Sequence, residues 1–168
     1  MSDPRVFPRF VADERTMLTQ WLDWHRETLA LKCADLDEAG LRERSVPPSQ
    51  MSLLGLVRHL AHVEFTWFQR HLMGEDTPNP VKSPQDPDGD FLGADTAPVR
   101  EAFALWRAGV ERSREVSASL PLDALARREW RGNTVSHRWI LMHMVSEYSR
   151  HNGHADLLRE RVDGATGF

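Results

Sequence analysis

The stretch RWILMHMVSEYSRHNGHADLLRE, residues 138–160, decides the predicted fold. Its apolar residues recur at three- and four-residue steps, the spacing of an amphipathic helix with one face on a core. Ser136 precedes the stretch, and its hydroxyl can accept a hydrogen bond from a backbone N–H group at the start of a helix. The pattern predicts a helix from Ser136 to about Val162. Its predicted inward residues are Trp139, Ile140, Met144, Tyr148 and Leu157.

Three more segments have helical periodicity, and loops rich in proline, glycine and aspartate separate them. The first predicted helix follows an Asp13 cap and ends near residue 36, with Met17, Trp21 and Trp24 on its apolar stripe. The second begins after Ser49 or Ser52 and ends at Gly74, with Leu53, Leu56, Leu60, Val63 and Trp67 facing inward. The third runs from about Thr96 or Pro98 to Leu120.

The segment between the second and third helices contains Pro78, Pro80, Pro84, Pro87, Gly89 and Gly93. A loop of roughly twenty residues is long for a compact domain, so we expect it to cross one end of a bundle. No alternating run is long enough to predict a sheet. The sequence therefore predicts an all-α four-helix bundle with a long crossover, formed by one domain over residues 1–168.

Composition excludes several classes of protein. The formal charge of −4 offers no basic face for nucleic acid, and no apolar run approaches the roughly 18 residues that span a membrane. The single cysteine, Cys33, excludes an internal disulfide and a cysteine-rich zinc site. The charged N-terminal stretch lacks the apolar core of a signal peptide. These features predict a soluble cytoplasmic protein.

A possible metal site follows from residue spacing. Glu147 and His151 are four residues apart, so they project within about 40° of each other from one helix face. His59 stands in the apolar row of the second predicted helix. Two imidazoles and one carboxylate from facing helices can bind a metal while leaving coordination positions open. His143 and His154 lie near the same face but about 16 Å apart along the axis, so one ion cannot bind all of these residues.

Other interpretations of the same residues stay open on spacing alone. Buried histidines are commonly hydrogen-bonded core residues, and Glu147 can instead form an ion pair with Arg150. On the second helix either His59 or His62 can face inward. We expect His25 and His137 to be surface, capping or hydrogen-bonding residues, and Cys33 to be chemically inert.

Three stretches together resemble the DinB/YfiT-like superfamily of helical bundles. They are LDWHRETLALKCADL (22–36), MSLLGLVRHLAHVEFTWF (51–68) and the stretch 138–160 quoted above. The resemblance covers about residues 17–161, and the HNGHADLLRE segment is its most specific part. It is closest to a DinB-like branch of mostly unassigned proteins. It implies up-down-down-up connectivity and a homodimer.

The resemblance also implies a divalent metal, bound by one histidine of the second helix and two residues four apart on the fourth. Matched to this chain, the ligands are His59, Glu147 and His151. A glutamate in this place resembles the mycothiol-dependent maleylpyruvate isomerase branch. His62 and His154 would then be catalytic pocket residues that orient ligands or move protons.

The expected activity is metal-dependent chemistry with a low-molecular-weight thiol such as mycothiol, in S-transfer to a small electrophile or its isomerisation. Zinc is the first expectation, and nickel or iron(II) also suits two histidines and a glutamate. Two alternatives stay open. A hydrolase would act without added thiol, and a non-catalytic metal- or ligand-binding bundle would show no turnover. The expected partners are a thiol and an electrophile, with no nucleic acid and no membrane.

Overall fold

The computed structural model describes residues 5–167, and the all-α prediction is confirmed for them. Within that range the structure contains helices and isolated β-bridges but no strand. The helices are α1 (Glu14–Cys33), α2 (Glu38–Arg42), α3 (Leu53–Glu64), a π-helix (Phe65–Leu72), a 3-10 helix (Leu92–Asp95), α4 (Val99–Ser119) and α5 (His137–Asp163).

Predicted caps account for where several helices begin and end. The Asp13 carboxylate accepts a hydrogen bond from the Thr16 backbone N–H at 3.0 Å, and the Ser136 hydroxyl accepts one from the Trp139 N–H at 3.2 Å. Gly74 follows the π-helix with a φ of +71°, a conformation that ends a helix at little cost for glycine. The short helix α2 is a feature that the sequence did not predict.

Residues 5–53 and 141–167 form one compact unit. The predicted stripe on α1, which also included Thr28 and Leu31, is offset from the buried face: Thr28 is buried, but Met17, Trp21, Trp24 and Leu31 are only half-buried. The N-terminal segment lies on these tryptophans: the Phe7 ring meets them edge-on at centroid distances of 5.8 and 5.0 Å, and the Arg5 guanidinium lies 4.0 Å from the Trp24 ring centroid. The apolar residues of α1 that are buried are Leu18, Leu22, Leu29 and Cys33.

Helix α5 contributes its apolar face to the same unit. Met144 and Tyr148 are fully buried, as predicted. Trp139 and Leu157 were predicted to face inward but are 38 % and 58 % exposed, and Leu158, next to Leu157, is buried at 2 %. The Arg159 guanidinium donates to the carbonyls of Lys32 and Ala34, at 3.1 and 2.6 Å, and so satisfies acceptors at the end of α1.

Residues 54–140 form the second unit. Its first helix, α3, has the predicted inward face, because Leu56, Leu60 and Val63 are all buried. The helix continues into the eight-residue π-helix, against which α4 packs. Within residues 5–167, the helices lack the combination of length and apolar character that crossing a bilayer requires.

We predict that Leu29→Ala destabilises the protein by about 2–5 kcal/mol, because the fully buried leucine side chain is replaced by a smaller one that leaves a cavity in the core. Urea unfolding followed by circular dichroism gives the free energy of unfolding. The matched control is Glu27→Ala on the exposed side of α1, which should change it by no more than about 0.5 kcal/mol. Equal effects of both substitutions would contradict the assigned buried face.

Candidate metal centre

Helix α5 holds Glu147 and His151 on one face, as their four-residue spacing predicts. The Glu147 Oε2 atom lies 3.4 Å from His151 Nε2. Its other oxygen, Oε1, lies 3.7 Å from His143 Nε2. The carboxylate therefore lies between two imidazoles, one turn before and one turn after it on the helix.

His154 is coupled to His151 through their rings. The two Nδ1 atoms are 3.3 Å apart, so a hydrogen bond between them requires one ring to donate and the other to accept. Burial lowers the pKa of His154, and the charges of His151 and Arg150 act in the same direction. Burial also lowers the pKa of His143, with Glu147 partly opposing it. His154 and His143 are accordingly neutral at neutral pH.

His59 is held by residues of the loop between the π-helix and the 3-10 helix. Its Nδ1 lies 2.8 Å from Asp90 Oδ2. The Phe91 ring stacks on the imidazole with 5.2 Å between centroids and 20° between planes. Burial raises the pKa of the Asp90 carboxyl, but hydrogen bonds from His59 and Lys82 together lower it well below its usual range.

His62 has a hydrogen-bond arrangement that defines its tautomer. Asn79 Oδ1 accepts the backbone N–H groups of Val81 and Lys82, both at 2.9 Å, so the other end of this amide is its NH₂ group. That NH₂ group lies 2.6 Å from His62 Nδ1, which must therefore accept. Neutral His62 carries its proton on Nε2, and burial, the largest influence, lowers its pKa.

Two of the ligands expected from the family resemblance, Glu147 and His151, offer a carboxylate oxygen and an imidazole nitrogen 3.4 Å apart on one face of α5. The third expected ligand, His59, offers an imidazole nitrogen from α3. Two imidazoles and a carboxylate are a donor set that divalent zinc accepts.

His25 and His137, which the sequence predicted to be surface, capping or hydrogen-bonding residues, both take part in hydrogen bonds. His137 is fully buried, with Nε2 at 2.8 Å from the Ser117 hydroxyl and Nδ1 at 3.1 Å from the Pro121 carbonyl. The backbone carbonyl of His25 accepts from the Asn152 amide at 3.0 Å.

Comparison with models of known protein families identifies the family to which the chain is related. A family model described as mycothiol-S-transferase matches residues 17–164, which is most of the chain. The chain belongs to the mycothiol-S-transferase family. This family lies within the DinB/YfiT-like superfamily, so the resemblance inferred from the helical stretches is confirmed. Membership of the mycothiol-S-transferase family implies the involvement of mycothiol, a thiol substrate. No curated protein shows significant sequence similarity to the chain.

The loop residues around the two histidines of α3 were missed by the sequence reasoning. Asn79, Lys82 and Asp90 lie in a segment without periodicity, which was interpreted only as a crossover. One signal was present: Lys82 is a single basic residue in a loop whose other charged residues, Asp90 among them, are acidic. A sequence pattern does not give the path of such a loop, so it could not pair these residues with His59 or His62.

Cys33 is not a site residue. It is buried, and burial raises the pKa of its thiol to about 12, with Arg159 partly opposing this effect. A thiol with that pKa holds almost no thiolate at neutral pH, and the thiolate is the reactive form. The predicted inertness of this side chain is therefore supported by its surroundings.

We predict that Cys33 in the folded protein does not react with Ellman's reagent at pH 8 within the time in which free cysteine reacts completely. In a denaturant the same chain should release one equivalent of the chromophore, because it has one cysteine. The measurement is absorbance with and without denaturant. Rapid labelling of the folded chain would show that this thiol is accessible and ionised.

Proposed function

We propose that this protein is a divalent-metal-dependent transferase that joins the sulfur of mycothiol to a small electrophile. The observation that carries the proposal is the family match over residues 17–164. We assign the metal ligands to His59, Glu147 and His151, and two findings support this assignment. These residues match the ligand pattern of the resembled superfamily, and Glu147 and His151 present a carboxylate oxygen and an imidazole nitrogen 3.4 Å apart on one face of α5.

The chemistry of the donor set fits the proposed role. Three protein ligands are typical of catalytic rather than structural zinc sites, in which a coordination position is kept for water or substrate. Nickel and iron(II) accept the same ligand types, and zinc is our first assignment. A divalent ion held by these ligands supplies Lewis acidity that favours the thiolate form of a thiol.

The remaining histidines have distinct proton-transfer properties. We assign to His154 the acceptance of the thiol proton, because its lowered pKa makes it a neutral base at pH 7. The S–H bond breaks and its proton goes to the His154 ring, while the sulfur electron pair forms the bond to the electrophilic carbon. The leaving group departs with its own electron pair. His62 has Nδ1 occupied by Asn79, so its Nε2–H acts as a hydrogen-bond donor that orients a bound substrate.

The source of the nucleophilic sulfur follows from Cys33. Because this buried thiol holds almost no thiolate, the proposed reaction takes its sulfur from the co-substrate. Isomerisation of the electrophile begins with the same attack by sulfur, and it is the second reaction proposed for this site. The homodimer and the cytoplasmic location expected from the sequence stay predictions.

We predict that protein purified without an affinity tag or a chelator contains about one divalent ion per chain. His59→Ala, Glu147→Ala and His151→Ala should each lose the ion, because two ligands bind it far less tightly than three. Metal content is measured by mass spectrometry and helicity by circular dichroism. The control is His71→Ala, which removes a histidine outside the ligand group and should leave the metal bound.

Two results would contradict the proposal in different ways. A wild-type protein that refuses every divalent metal on titration would exclude the metal site. Turnover of an activated ester without added thiol, together with no consumption of mycothiol in the presence of electrophiles, would assign a hydrolase instead.

We predict that His154→Gln lowers the rate of mycothiol transfer by about 10²–10⁴-fold, the usual contribution of a general base. Metal content should stay unchanged, because glutamine replaces a residue outside the ligand group. Single-turnover rates with mycothiol and a fluorogenic alkyl halide provide the measurement. An unchanged rate would remove His154 from proton transfer, and loss of the metal would assign it a role in binding the ion.

A further inference from the structure

The buried carboxylate of Asp90 is the central feature of the loop that follows the π-helix. Its side chain is 1 % exposed, and both of its oxygens have donors. Oδ2 accepts from His59 Nδ1 at 2.8 Å and from the Lys82 ammonium at 3.0 Å. Oδ1 accepts the backbone N–H of Phe91 at 3.1 Å. Three donors converge on one carboxylate, which fixes its position and its charge.

This arrangement determines the tautomer of His59. An ionised carboxylate can only accept hydrogen bonds, so the imidazole nitrogen that faces it must carry a proton. With its proton on Nδ1, neutral His59 has its lone pair on Nε2. A histidine binds a metal through a nitrogen lone pair, and a carboxylate on the opposite nitrogen fixes the ring and raises its basicity.

The loop around Asp90 is attached to α3, the helix that carries His59. The Arg58 guanidinium donates to the backbone carbonyls of Asp90 and Gly89, at 3.1 and 2.7 Å. A Cβ atom at Gly93 would lie 2.6 Å from Arg58 Nη2, so a side chain there would require the guanidinium to shift from its present position. Arg58 and His59 are neighbours in sequence, and each binds the same short loop segment.

The orientation of the His59 ring is constrained in a second direction. Asp90 holds the ring edge at Nδ1, and the neighbouring Phe91 covers one face of the ring with a plane angle of 20°. An edge contact and a face contact together leave the imidazole little freedom to turn about its side-chain torsions. Pre-organised ligands of this kind bind a metal with less loss of entropy.

We infer that Asp90 is the positioning residue of His59: it holds the imidazole in the Nδ1–H tautomer and presents Nε2 as the metal ligand. The metal part of this inference rests on the proposed function. The tautomer part stands on the contacts within residues 54–140 and can be tested without metal.

The first test measures the tautomer of His59 directly. Long-range ¹H–¹⁵N correlation spectra of metal-free, ¹⁵N-labelled protein at pH 8 distinguish Nδ1–H from Nε2–H imidazoles, and His59→Gln identifies the resonances. We expect His59 to be the Nδ1–H tautomer in the wild type. Asp90→Ala should shift it toward Nε2–H, the form that an unconstrained histidine side chain favours. A wild-type His59 in the Nε2–H form would overturn the inference.

The second test measures metal affinity. Competition with a chromogenic chelator should show that Asp90→Ala weakens Zn²⁺ binding by about 10–100-fold, as is usual when a partner of a metal-binding histidine is removed. The matched control is Asp88→Ala, which removes an exposed carboxylate two residues earlier in the same loop and should leave the affinity within about threefold of wild type. Equal affinities of the Asp90→Ala and wild-type proteins would overturn the role of Asp90 in ligand positioning.

Two further variants distinguish positioning from general destabilisation. Lys82→Met should retain the Nδ1–H tautomer, because Asp90 still accepts from His59. Should Asp90→Ala fail to fold, Asp90→Asn gives a near-isosteric replacement whose amide cannot satisfy all the donors around the carboxylate. If the wild type shows the Nδ1–H tautomer but binds no divalent ion, the proposed metal chemistry fails and the assignment of Asp90 to His59 stands.

Discussion

The free-energy cost of burying polar side chains between apolar helix faces is the constraint on which the other features of this protein depend. A charged or hydrogen-bonding side chain taken out of water destabilises the fold unless it finds a partner. Asp90 and His137 are fully buried, and each is bonded to groups from other parts of the chain. Such interactions have defined directions, so they select particular rotamers and tautomers where apolar packing would accept several.

The same constraint explains why the chemistry-bearing residues are arranged in pairs. Glu147 has an imidazole one turn away on either side, His154 lies against His151, and His62 lies against Asn79. Each partner limits which nitrogen of a histidine can carry a proton. Metal binding and proton transfer both depend on that choice, because a nitrogen that carries a proton cannot act as ligand or base. The structural pairs are therefore also the elements of the proposed mechanism.

The sulfur chemistry proposed for this protein does not involve its own cysteine. Burial leaves Cys33 protonated and without access to solvent, so it serves as a core residue. The family match to mycothiol-S-transferases supplies a different source of sulfur, a small thiol that must be brought to the protein. The proposed mechanism assigns the stabilisation of that thiolate to a divalent ion and the acceptance of its proton to His154.

The sequence by itself determined the features that depend on near neighbours along the chain. Helical periodicity and capping residues located the helices. The four-residue spacing put Glu147 and His151 on one face, because residues about one turn apart project from the same side of a helix. The stripe of α1 was offset because the N-terminal segment that covers Trp21 and Trp24 was not visible in a local pattern. Only the tertiary structure decided that Asp90 and Lys82 hold His59, since the path of an aperiodic loop is set by packing and hydrogen bonds between residues far apart in sequence.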